Sequence, residues 1–121
     1  MKVQADSQGI TMSSKLLVII ATGDKDKAQT GLMYARNAMK RKWLEDVKVV
    51  FFGPSERLIV EDKQVAELVM EVAPLGESFA CKAISDREGL SDAVEKLGVK
   101  VEYVGSIISN FIKDGYVPMV W

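Results

Sequence analysis

Cysteine occurs once in this chain of 121 residues, at Cys81. It follows Ser78-Phe79-Ala80, which reads as a short strand. It precedes Lys82-Ala83-Ile84-Ser85-Asp86-Arg87, which reads as a short helix with basic residues. A thiol at the carboxyl end of a strand, where a helix opens, stands where α/β proteins place their chemistry. The helix dipole and the cations Lys82 and Arg87 would favour the thiolate, the form that attacks sulfur and carbon electrophiles. The same position also suits a small buried hydrophobe, which free cysteine often is. Both readings stay open at this point.

Other reactive groups are few. Histidine is absent. That excludes a Ser-His-Asp or Cys-His pair, an H-E-x-x-H helix and any imidazole ligand set. With one cysteine besides, neither a structural zinc site within one chain nor an internal disulfide is expected. Catalysis would have to use the thiol, a carboxylate, a lysine, a tyrosine or the backbone. Asp24 and Asp26 could suggest an acidic metal pocket, but Cys81 and not a carboxylate follows the third strand. Helix capping explains the two aspartates better, and no metal is expected.

Three loops could cradle an anion on backbone N–H groups: Thr22-Gly23-Asp24, Gly53-Pro54-Ser55 and Gly105-Ser106. Thr22, Gly23, Gly53, Lys82, Gly105 and Ser106 are therefore the candidate substrate- or anion-binding residues. None of the loops matches G-x-G-x-x-G or G-x-x-x-x-G-K-[ST], so no dinucleotide or nucleotide cofactor is indicated. Ordinary strand-to-helix turn chemistry accounts for them as well.

The elements that would position these groups follow from the apolar pattern. Residues 15–21 form a near-continuous aliphatic run, as in a strand buried on both faces of a parallel sheet. A helix is expected over about 27–43, with Ala28, Leu32, Ala35 and Met39 inward. The spacing predicts further strands at 47–52, 77–80, 99–104 and 116–121. Helical segments are expected at 56–60, 64–72, 82–87, 92–97 and 107–113. Pro118 places the last strand at a sheet edge. Tyr34, Trp43, Tyr116 and Trp121 are expected to pack or to meet another subunit. Strand and helix alternate five times, which predicts an α/β fold, a three-layer α/β/α sandwich on a mainly parallel five-stranded sheet. Its strand-ending loops should gather at one edge, Cys81 among them.

The bulk composition fits one globular domain over residues 15–121. Residues 1–14 are polar and aperiodic and are expected to be a disordered tail without a signal-peptide layout. The run at 16–21 is too short to cross a bilayer. The chain carries 16 basic and 17 acidic residues, for a net charge of −1. That argues against a nucleic-acid partner, and the lone cysteine fits a reducing, cytoplasmic setting.

The arrangement resembles the DsrE/DsrF-like family of small sulfur-relay proteins along nearly all of the chain after Ser14. The resemblance rests on the strand and loop ending at Gly23-Asp24 and on Val49-Val50-Phe51-Phe52-Gly53-Pro54-Ser55. It rests also on Phe79-Ala80-Cys81-Lys82 and on Val104-Gly105-Ser106 with Ile112-Lys113-Asp114-Gly115-Tyr116. It implies a flavodoxin-like sandwich and assembly into a homo-oligomer, a trimer or a hexamer. It also implies that Cys81 holds sulfane sulfur as a persulfide, taken from a donor and passed to an acceptor protein or small thiol. The expectation is a possible sulfurtransferase without cofactor. The alternatives are a non-catalytic protein binding a small anion or nucleotide, and a redox-sensing thiol protein.

Overall fold

The computed structural model describes residues 14–121. The tail expected over residues 1–14 lies, apart from Ser14, outside the described residues. Ser14 is tied to the fold, because its backbone and side-chain oxygens accept hydrogen bonds from the Glu45 N–H.

Five strands form one sheet in the order β4-β3-β2-β1-β5. They are β1 (Lys15–Ile20), β2 (Asp46–Phe51), β3 (Ser78–Cys81), β4 (Lys100–Glu102) and β5 (Val117–Val120). Every pairing between them is parallel. The three inner strands carry apolar residues on both faces. Leu16, Val18 and Ile20 of β1 enter one core cluster, and Leu17 enters the other. β5 is an edge strand, so Pro118 sits where its missing N–H costs the sheet little.

The helices are α1 (Lys25–Lys40), α2 (Ser55–Glu61), α3 (Lys63–Val72), α4 (Lys82–Arg87), α5 (Ser91–Lys96) and α6 (Val104–Lys113). Each of the first five lies in a connection that steps one way across the sheet, from β1 to β4. Buried residues of α1, α2, α3 and α5 share the larger core cluster. The connection from β4 then returns to the far side of β1. A right-handed crossover in the reverse direction must use the opposite face. There α6 packs Val104, Ile107, Ile108 and Phe111 onto Leu17, Val50, Phe79 and Cys81, joined by Ile84 of α4. The result is the three-layer α/β/α sandwich, with one layer much thinner than the other.

Several boundaries differ from the sequence pattern, each for a local reason. α1 starts at Lys25, because Asp24 caps it by accepting from the Lys27 N–H at 2.9 Å. It ends before Trp43, because Lys42 turns left-handed with φ of 52°. The fourth strand is three residues long and not six, since Tyr103 becomes a helix N-cap and Val104 the first helical residue. Gly105 and Ser106 therefore belong to the first turn of α6 and not to a loop before it. Leu90, and not Ser91, is the N-cap of α5. The third strand runs one residue further than its apolar stretch suggests and includes Cys81.

Candidate functional site

All five strands point the same way, so their carboxyl ends form one edge. Two of its loops, those after β1 and β2, are stitched together. The Ser55 N–H bonds the Ala21 carbonyl at 3.2 Å, and the Phe52 N–H bonds the Ile20 carbonyl at 3.1 Å. The Ser55 hydroxyl also donates to the Ile20 carbonyl, at 2.5 Å. A methyl at Gly23 would lie 3.2 Å from the Pro54 Cβ. Gly53 takes a φ of 118°, open to glycine, and lets the chain pass beside the Ala21 carbonyl.

Cys81 ends β3 and serves as the N-cap of α4, with no side-chain capping bond. It pairs in register with Glu102 of β4. The connections leaving these two neighbouring strands diverge. That from β3 runs through α5 on the larger core, and that from β4 runs through α6 on the opposite face. The parting of the two connections leaves a crevice on the carboxyl edge, along which open α/β sheets bind their ligands. The Cys81 side chain is directed to the α6 face, among Phe79, Val104 and Ile84, and the residue is 7% exposed.

The charges expected to serve the thiol are engaged elsewhere. Lys82 donates to Asp86 at 2.8 Å, and that bond raises its pKa above the ordinary lysine value. Arg87 is exposed and lies 3.7 Å from Glu88. The backbone groups proposed for an anion are partly occupied as well. Thr22 Oγ1 accepts from the Asp24 N–H at 3.0 Å, and the Gly53 N–H donates to Glu56 at 3.0 Å. Gly105 has open space around it. Thr22, Gly23 and Gly53 are thus brought to one place, Lys82 flanks Cys81, and Gly105 and Ser106 start the helix across the crevice.

Glu56 is the residue at this edge that the sequence reading overlooked. It is fully enclosed, and its other carboxyl oxygen accepts from the Ser85 hydroxyl at 2.6 Å. Burial raises its pKa, against the hydrogen bonds from Ser85 and Gly53, which lower it. A signal was present. A glutamate three residues after the start of a helix entry, reaching back to the N–H there, is half of a capping box.

Two concavities flank the site. A cleft of about 280 Å3 lies between the α2 entry and α4, lined by Gly53, Pro54, Arg57, Ile84, Arg87 and Glu88. A wider hollow of about 530 Å3 has Phe79, Ile107 and Phe111 as its apolar lining, with Glu102, Asn110, Lys113 and Asp114 around them. Among the described residues no cluster of three or more carboxylate or thiol groups could hold a metal. No described helix is long and apolar enough to cross a membrane. Tyr116 and Trp121, expected as packing or subunit contacts, both pack within the chain. Tyr116 donates its hydroxyl to Asp46, and Trp121 lies against Gly31.

No protein-family model matches this chain, and no curated protein matches it. Solved structures do. A conserved protein of unknown function from Bacteroides thetaiotaomicron, BT1422, superposes with a TM-score of 0.83 at 25% identity, over 89% of this chain and 95% of that one. A protein of unknown function from Methanobacterium thermoautotrophicum, MTH1491, gives 0.72 at 21% identity, over 90% and 100%. The ychN protein from E. coli gives 0.70 at 11% identity, over 88% and 99%. The chain therefore shares its whole α/β/α architecture with three proteins of its own size, two of them described as of unknown function.

Proposed function

We propose that this protein is a cytoplasmic sulfur carrier of the DsrE/DsrF-like kind, holding sulfane sulfur on Cys81. The observation that carries the reading is the place of Cys81, at the end of β3 beside β4, where the outgoing connections part to opposite faces. In the transfer, the Cys81 thiolate attacks the outer sulfur of a donor persulfide. A new S–S bond forms at Cys81, the donor's S–S bond breaks, and the donor leaves as a thiolate. An acceptor thiolate then takes the terminal sulfur by the same exchange and frees Cys81. No net oxidation occurs, so no cofactor is required. Having no second cysteine, the chain takes its donor and acceptor from outside.

The test is mass spectrometry of the intact protein after incubation with a sulfane-sulfur donor. The wild type gains one sulfur atom, reversed by a small thiol. Cys81→Ser gains none and keeps its melting temperature within a few degrees, since oxygen matches sulfur closely in shape. Loading that persists in the serine variant, or no loading in the wild type, rejects the reading.

A second reading has its own support. Cys81 is almost enclosed by apolar side chains, and Lys82 and Arg87 each lie against a carboxylate. These facts favour a non-catalytic binding or scaffold protein with an incidental cysteine. Such a protein would leave Cys81 as inert to alkylation as a core residue.

A further inference from the structure

We infer that Glu56 is a positioning residue for the Cys81 site, acting through Ser85; the inference rests on the reading of Cys81 as the working group. Glu56 and Ser85 are both fully enclosed. One carboxyl oxygen of Glu56 takes the Gly53 N–H and the other takes the Ser85 hydroxyl. The carboxyl thus ties the loop after β2 to the helix after β3. Ser85 is four residues beyond Cys81, one turn along the short helix that Cys81 begins. Whatever holds Ser85 fixes the turn on which Cys81 is mounted.

A buried carboxyl is an expensive fastener. Burial penalises its charge, and an apolar side chain of similar size would serve stability as well or better. Its use here makes sense where geometry, more than cohesion, is at stake. Other charged groups bear on it. Glu88 opposes its ionisation and Arg87 favours it, while Arg57, next to it on α2, holds Glu88 at 2.7 Å. The carboxyl can keep both partners in either protonation state. Ionised, it accepts twice. Protonated, it accepts from Gly53 and donates to the Ser85 oxygen, leaving the Ser85 hydroxyl free for the carbonyl one turn back, that of Cys81.

The test is the rate of Cys81 alkylation by iodoacetamide across the pH range, with melting temperature recorded on the same samples. Three variants are compared with the wild type: Glu56→Gln, Glu56→Ala and Ser85→Ala. Severing the link in Ser85→Ala or Glu56→Ala is expected to change the rate by roughly tenfold or more, since a misplacement of about 1 Å can be worth about a hundredfold. Glu56→Gln keeps both hydrogen bonds and should keep the neutral-pH rate. Its rate should follow the wild-type profile across the pH range, since the wild-type carboxyl also keeps both partners in either protonation state. If Glu56→Ala does not fold, the milder Ser85→Ala decides. A wild-type rate in folded Ser85→Ala, with only the melting temperature altered, overturns the inference, and so does a rate in folded Glu56→Gln displaced as far as in Ser85→Ala. Alkylation does not require sulfur transfer, so the two claims fail separately. A wild type that never loads sulfur, yet whose alkylation depends on Ser85 and Glu56, rejects the carrier reading and keeps the positioning role.

Discussion

Glu56 and Cys81 show how differently two functional candidates announce themselves at the residue scale. Cys81 was legible because one thiol between an apolar stretch and a helical one has few places to be in an α/β chain. Glu56 was not, because an acidic residue in the first turn of a helix usually complements the dipole in solvent. Only the meeting of α2 with α4 encloses it, and that contact spans 29 positions in sequence. Its burial has a consequence for pH. The fold raises the pKa of Glu56, so its contribution to stability is fully present below the unfolded value and is lost as pH rises through the folded one. Glu56→Gln, which has no charge to bury, should therefore gain melting temperature over wild type near neutral pH. It should gain little at about pH 4, where an unperturbed glutamate is already largely protonated. A gain independent of pH, measured by thermal unfolding in matched buffers, would contradict this assignment.

Elements were read more faithfully than their ends. Five strands and the helices between them were visible because buried parallel strands are written as unbroken aliphatic runs. Val104 misled that pattern. It continues the apolar run of Val99 and Val101, but its burial serves the first turn of α6. At Gly31, α1 also comes close against β1 and Trp121. In the fold, a methyl there would stand 2.7 Å from the Trp121 ring and 2.8 Å from Ile20. Gly31→Ala has better intrinsic helix propensity but must overpack this seam. It should lower stability by about 1–3 kcal/mol in urea unfolding. An unchanged or raised midpoint would show that Trp121 yields without cost.

At the scale of the whole molecule, the two outer layers are unequal. The larger core gathers four helices, whereas α6 works nearly alone on the opposite face. Phe52, Tyr103, Ile112, Val117 and Val120 remain exposed. We propose that such residues are covered in the homo-oligomer that the family resemblance implies. Light scattering at micromolar concentration should return a multiple of the chain's 13.4 kDa, and a monomer mass would remove the expectation. The register of β1 carries one more consequence. Leu16 is bonded to strand β2 on one side and finds its other neighbour, Val117, only near the far end of the described chain. During folding, β1 to β4 can zip together step by step through short crossovers, while the outer rim of β1 waits. Until β5 arrives, that rim is an unpaired, aliphatic template that any similar strand could join. A newly made molecule is open to misassembly for as long as that rim stays unpaired.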